Sequence, residues 1–100
     1  MKIQHQPTAL VLSNITELDA TNSAALCLDV REALKEAMTF IDVDLSQTRL
    51  IDSSGLGALI TLHKTMCARG GGLRVLNPAP NVKQILELTR LNRVFEIVQL

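Results

Sequence analysis

The chain has 100 residues, 47% of them hydrophobic, with ten basic and ten acidic side chains and no formal net charge. That is the length of one domain, enough to bury roughly 65% of the unfolded surface, and the composition excludes a disordered or fibrous chain. No basic stretch can neutralise a row of phosphates, and two aromatic residues, Phe40 and Phe95, build no base-stacking platform, so no nucleic-acid partner is expected.

The first segment, Met1 to Pro7, carries no apolar signal-peptide core. No later run approaches the ~20 apolar residues of a membrane helix, so a cytoplasmic domain without direct membrane insertion is expected. Thr8 to Ser13 is an apolar run suited to a strand, followed by a polar connection through Asn14, Thr16, Glu17 and Asp19. From a cap at Thr21 or Asn22, Leu26, Val30, Ala33, Leu34 and Ala37 recur at helical spacing, predicting an amphipathic helix that ends near Met38. Phe40 to Leu45 alternates with period two, Ile41, Val43 and Leu45 against Phe40, Asp42 and Asp44, as a strand does.

Leu50-Ile51 and Asp52-Ser53-Ser54-Gly55 lead into a second helix with Leu56, Leu59, Ile60, His63, Met66 and Cys67 on one side. Gly70-Gly71-Gly72 stops it. Leu73 to Leu76 reads as a strand, Asn77 to Pro80 as a turn, Asn81 to Thr89 as a third helix presenting Val82, Ile85 and Leu86, and Val94 to Val98 as a closing strand. Residues 1–100 thus form one α/β domain with a mixed sheet, about four to five strands packed with three to four helices. Cys27 and Cys67 have no metal-ligand or C-x-x-C spacing and are expected as free, half-buried thiols; no metal or cofactor site is expected.

The run Asp52-Ser53-Ser54-Gly55-Leu56-Gly57 lies between a strand-like segment and a helix. The first amides of that helix lack intrahelical acceptors, and the positive end of its dipole favours an anion. Asp52 and Ser53 can both cap it. A phosphate on Ser53 would meet free N–H groups, standing beside Asp52 and near Asp44. Gly55 and Gly57 each cost about 1 kcal/mol of helix propensity, and bare backbone there leaves room for a partner to approach.

On these residues the chain resembles the STAS domain family, and within it the single-domain anti-sigma-factor antagonists. The resemblance spans the chain and is strongest from Phe40 to Leu59, where Asp44-Leu45-Ser46 is followed by Asp52-Ser53-Ser54-Gly55-Leu56-Gly57. It extends to Glu17-Leu18-Asp19, to Leu73-Arg74-Val75-Leu76-Asn77-Pro78 and to Leu88-Thr89 with Phe95-Glu96-Ile97. Two positions depart from it: Thr16 stands where a Gly usually precedes Glu-Leu-Asp, and Arg90 where a Gly is usual in the C-terminal turn.

The resemblance implies a STAS-like fold and a phospho-switch that works by binding, with no catalytic residue. Ser53 corresponds to the serine phosphorylated by an anti-sigma factor with serine kinase activity; the unphosphorylated form binds that partner, and a metal-dependent serine phosphatase of the PP2C type resets the switch. The expected interface is Asp19, Ala20, Thr21 and Asn22 together with Asp52, Ser53, Ser54, Gly55, Leu56 and Gly57. The alternative within the family is an accessory STAS subunit of an ABC lipid transporter, or a scaffold of a signalling assembly.

Other chemistries fit less well. A serine hydrolase needs a base, and His5 and His63 are the only histidines, with His63 on the apolar face of a helix and no G-x-S-x-G elbow present. The three glycines at 70–72 lack the Lys-[Ser/Thr] of a phosphate loop. Asp42 and Asp44 read as solvated or loop-facing carboxylates rather than a receiver-type acceptor.

Overall fold

The computed structural model describes all 100 residues. In chain order the elements are β1 (Lys2–His5), β2 (Ala9–Ser13), β3 (Glu17–Leu18), α1 (Ser23–Ala33), β4 (Phe40–Asp44), β5 (Leu50–Ile51), α2 (Ser53–Cys67), β6 (Gly72–Leu76), α3 (Pro80–Leu88) and β7 (Glu96–Val98), with a 3-10 turn at Leu91–Arg93 before the last strand. The main sheet has the order β1-β2-β4-β6-β7, and β3 pairs with β5 in a separate two-stranded ribbon. Only β1 runs antiparallel to its neighbour; β2, β4, β6 and β7 are parallel.

Each step from β2 to β4, β6 and β7 moves across the sheet in one direction, and right-handed crossovers then place all three helices on one face. The register agrees. Leu10, Ile41 and Leu73 form one row, Leu12, Val43 and Val75 the next, and all six are buried. Against them pack Leu26 and Val30 of α1, Leu59, Leu62 and Met66 of α2, and Val82 and Leu86 of α3.

The opposite face carries the alternate positions. There Asp42 and Arg74 are cross-strand partners, joined by two hydrogen bonds of 2.6 and 3.1 Å, with the guanidinium 4.1 Å from the centre of the Phe40 ring. Asp42 is therefore a buried, paired carboxylate, neither solvated nor loop-facing, because it lies within β4 and Arg74 pairs with it across the strands.

Several expected boundaries move. Helix α1 ends at Ala33 rather than near Met38, because Leu34 is already extended (φ −67°, ψ 134°) and Lys35 to Met38 closes a turn, Met38 N–H to Lys35 C=O at 3.0 Å. Arg69, in the turn after α2, fixes it by donating to the carbonyls of Lys35 and Met38. Strand β1 and the two-residue β3 were not legible, being a polar edge strand and a pair of residues inside a polar connection. The third helix starts one residue early with Pro80 in its first turn, a position that needs no N–H donor.

On α2 the core face is Gly55, Ala58, Leu59, Leu62 and Met66; Leu56, Ile60 and His63 are only half-buried and Cys67 is exposed. The expected face was thus rotated by about one position, because a glycine and an alanine occupy the side turned inward. Cys27 is half-buried, as expected, and burial pushes its thiol up, partly offset by the charge of Arg31. Gly70 takes the left-handed conformation (φ 84°) that ends the α2 segment, and Gly72 already belongs to β6.

Candidate functional site

The β3–β5 ribbon decides where the site forms. Its parallel register sets Glu17 against Leu50 and Leu18 against Ile51. The next residues in each strand are Asp19 and Asp52. The two segments singled out by sequence, one following β2 and the other following β4, are thereby delivered side by side at the C-terminal end of the parallel strands, where loops lead into helix starts. The ribbon is tied further by Arg49 N–H to Thr16 C=O at 2.8 Å and Asp52 N–H to Leu18 C=O at 3.2 Å.

Asp52 is the cap of α2. Its Oδ1 accepts the Gly55 N–H at 2.9 Å, and its extended backbone (φ −113°, ψ −173°) turns the chain from strand into helix. Its other oxygen, Oδ2, accepts the Ala20 N–H at 3.2 Å, from the neighbouring loop. One carboxylate therefore holds both halves of the site. Ser53 occupies the first helical position and is exposed, as is Ser54. The serine does not serve as the cap, so its hydroxyl is not consumed by the helix. With the Gly55 amide taken by Asp52, the Ser53 and Ser54 amides remain at the open end of the helix.

The loop from Asp19 to Asn22 is held by its own side chains. The Asp19 carboxylate accepts from the Thr21 N–H at 3.0 Å and from the Thr21 hydroxyl. Asn22 Oδ1 accepts the Asp19 N–H at 2.9 Å while its Nδ2 donates to the Glu17 carbonyl at 2.7 Å. Asn22 precedes α1 but its side chain makes no cap bond there, being used inside the loop instead. The Thr21 hydroxyl, followed by the Thr21 and Asn22 amides, holds the Asp19 carboxyl below the ordinary value of 3.8.

Gly55 and Gly57 divide. Gly57 faces open space, with nothing within 4 Å of an added Cβ, as the expectation of room for a partner requires. Gly55 is buried, and a Cβ there would lie 2.2 Å from the Leu18 carbonyl oxygen. Its missing side chain lets α2 approach β3 inside the molecule, which corrects the reading of Gly55 as space for a partner. Asp44 makes no hydrogen bond to Ser53 or Asp52; its Oδ1 accepts the Ser46 N–H at 2.9 Å in its own turn.

Neither histidine is bonded to Ser53. His5 Nε2 contacts the Ala33 carbonyl. His63 Nδ1 accepts the Leu73 N–H at 3.0 Å, its Nε2 lies 3.3 Å from Cys67 Sγ, and its ring packs edge-on to Phe95. His63 is a satisfied structural histidine of α2 that packs against the start of β6. No group of three or more His, Cys, Asp or Glu side chains could hold a metal, and neither surface cleft is lined by any residue from Asp52 to Gly57. Ser53 stands on open surface, accessible to a macromolecule rather than enclosed around a small one. The role missing from the sequence reading was that of Asp52 as a bridge, since nothing in its neighbours points to Ala20, 32 positions away.

A mixed sheet with helices on one face, and a short ribbon that brings a strand–helix turn carrying an exposed serine beside an acidic loop, define a small α/β domain whose site lies on open surface. The sequence profile of the STAS domain matches residues 1–99, and the chain belongs to that family. It is 26% identical over 98 residues to the anti-sigma F factor antagonist of Paenibacillus polymyxa, covering 97% of this chain and 84% of that one. Among solved structures it is similar to TM1081 of Thermotoga maritima, with a TM-score of 0.88, 24% identity and coverage of 97% and 84%. It is also similar to the anti-sigma factor antagonist SpoIIAA in its unphosphorylated form, with a TM-score of 0.86, 21% identity and coverage of 99% and 86%. These two structural likenesses carry the fold. No helix is long and apolar enough to cross a membrane.

Proposed function

We propose that this STAS domain is an anti-sigma-factor antagonist that works in the cytoplasm by reversible protein binding. Unphosphorylated, it binds an anti-sigma factor with serine kinase activity through Asp19 to Asn22 and the outer side of the α2 start, Asp52, Ser53, Ser54, Leu56 and Gly57; phosphorylation of Ser53 ends the binding, and a PP2C-type phosphatase restores it. The observation that carries this reading is the exposed Ser53 at the first turn of α2, outside any cleft and held beside the Asp19–Asn22 loop by the Asp52 carboxylate. Support also comes from the similarity to proteins named as antagonists.

The direction of the switch follows from charge. A phosphate brings about −1.5 to −2 charges to a surface that already presents Asp52 and Asp19, and a close interface would have to desolvate them all. The test is phosphotransfer from a serine-kinase anti-sigma factor with ATP, mapped by intact mass and peptide analysis, with binding followed by calorimetry. One phosphate on Ser53, lost in Ser53→Ala, and weaker binding for Ser53→Asp with an unchanged circular dichroism spectrum are expected. Label that persists in Ser53→Ala would refute the residue assignment. Equal affinities of wild type, Ser53→Asp and the phosphorylated protein would reduce the motif to a helix cap and favour the transporter-subunit or scaffold role.

A further inference from the structure

We infer that Asp52 is the positioning residue of the switch: its carboxylate ties the Asp19–Asn22 loop to the start of α2, and negative charge on Ser53 releases that tie. The inference rests on the proposed function for the identity of the switch, but the tie itself rests on geometry alone. Asp52 Oδ1 is committed to Gly55 N–H at 2.9 Å and Oδ2 to Ala20 N–H at 3.2 Å. The first bond is part-buried and lies within the helix turn; the second is longer, exposed and spans two segments of the chain. If one yields, it is the second.

A phosphate on Ser53 acts on that weaker bond in two ways. The Ser53 and Ser54 amides, left without acceptors by the helix start, draw the phosphate toward the end of α2 and thus toward Asp52. Two adjacent anions then compete for one set of donors, and like-charge repulsion turns the carboxylate away from the more exposed partner. The Ala20 amide loses its acceptor. Because Asp19, Thr21 and Asn22 are bonded to one another rather than to α2, the loop retains its internal shape and is freed as a unit. Phosphorylation would thereby alter both parts of the partner-binding surface, one by added charge and the other by lost position.

The test needs no kinase. Phosphoserine is installed at position 53 during translation, and this protein is compared with wild type, Ser53→Ala and Asp52→Asn by NMR amide exchange and amide proton shifts. Asn at 52 keeps an oxygen for Gly55 and remains a good cap, but turns an NH2 toward the Ala20 N–H, so donor meets donor. In the phosphoserine protein and in Asp52→Asn the Ala20 amide should shift upfield and exchange roughly tenfold to a hundredfold faster, as loss of one hydrogen bond to a charged acceptor implies. Gly55 should stay protected in both, and Ser53→Ala should match wild type.

An Ala20 amide unchanged by phosphoserine overturns the inference; if affinity for the anti-sigma kinase nevertheless falls, the proposed function stands without it. Release of Ala20 with undiminished affinity would bear out the tie and its release and overturn the proposed function instead. Loss of Gly55 protection together with Ala20 would show general fraying of the helix, which also overturns the inference.

Discussion

The two glycines of the first turns of α2 allow the packing at the site to be tested by a matched pair of substitutions. At both positions Gly→Ala gains about 1 kcal/mol of helix propensity. At Gly57 nothing lies within 4 Å of the new methyl group, so that gain stands, and in a domain of this size about 1 kcal/mol is roughly 4–8 °C in Tm. At Gly55 the methyl meets the Leu18 carbonyl oxygen at 2.2 Å and the Leu18 carbonyl carbon and Cγ at 2.9 Å. Carbon contacts settle near 3.5–4.0 Å, so α2 must retreat from β3 by roughly 1 Å. The obstacle is backbone held in the β3–β5 ribbon, which places the cost near the upper end of the usual ~1–3 kcal/mol for overpacking. Gly55→Ala should therefore lose a net ~2 kcal/mol and Gly57→Ala should gain ~1, a spread of about 3. The chain has no Trp or Tyr, so urea unfolding is best followed by far-ultraviolet circular dichroism. Equal stability of the two variants would refute the argument that close approach of α2 to β3 requires the glycine.

Arg74→Ala should cost roughly 2–3 kcal/mol in urea unfolding, less than a fully buried pair because the Arg74 side chain is 30% exposed, and should be partly relieved by a second change, Asp42→Ala, that removes the stranded carboxylate. Arg90 holds a left-handed backbone (φ 61°) where the resemblance leads one to expect Gly, so Arg90→Gly should stabilise by about 1 kcal/mol, and a lower Tm would contradict this. The folded loop favours ionised Asp19, so its contribution is present above 3.8 and is lost as pH falls through the lower folded value. The Asp19 carboxyl carbon shift should accordingly titrate with a midpoint below 3.8; a midpoint at or above it would count against the Thr21 contacts.

The central strands and three helices were legible because their signals are local and repeated: Ile41, Val43 and Leu45 alternate, and Leu26 and Val30 recur at helical spacing. The resemblance implied the STAS-like fold in which they pack. What escaped was set by distant partners. Lys2–His5 is a polar edge strand defined by pairing with β2, and Glu17–Leu18 is a strand only because Leu50–Ile51 lies beside it. The inward face of α2 was misjudged at Gly55, whose role depends on a carbonyl 37 positions earlier. The site shows the same division. Ser53 and its neighbours could be read from a short motif, whereas the bridge from Asp52 to Ala20 exists only once the ribbon has aligned the two loops.

That alignment also explains why the acid and the serine stand in this order. A cap residue gives up its side-chain oxygen to the third amide of the helix, as Asp52 does for Gly55. A serine in that place would have its hydroxyl engaged by the same N–H and turned toward the helix; one residue later, Ser53 projects from the first turn with the cap already filled. Exchanging the two, Asp52→Ser with Ser53→Asp, tests this. Serine is a good cap and an acidic residue in the first turn suits the dipole, so the net charge is unchanged and the stability should stay within about 1 kcal/mol of wild type. The serine at 52 should nonetheless be a poor acceptor of phosphate from the proposed kinase partner, because its hydroxyl is bonded at the cap and its backbone is the extended turn into the helix. Phosphorylation of the exchanged protein at the wild-type rate would mean that the kinase reads only an exposed serine near an aspartate, and that the division between capping acid and free hydroxyl has no part in the switch.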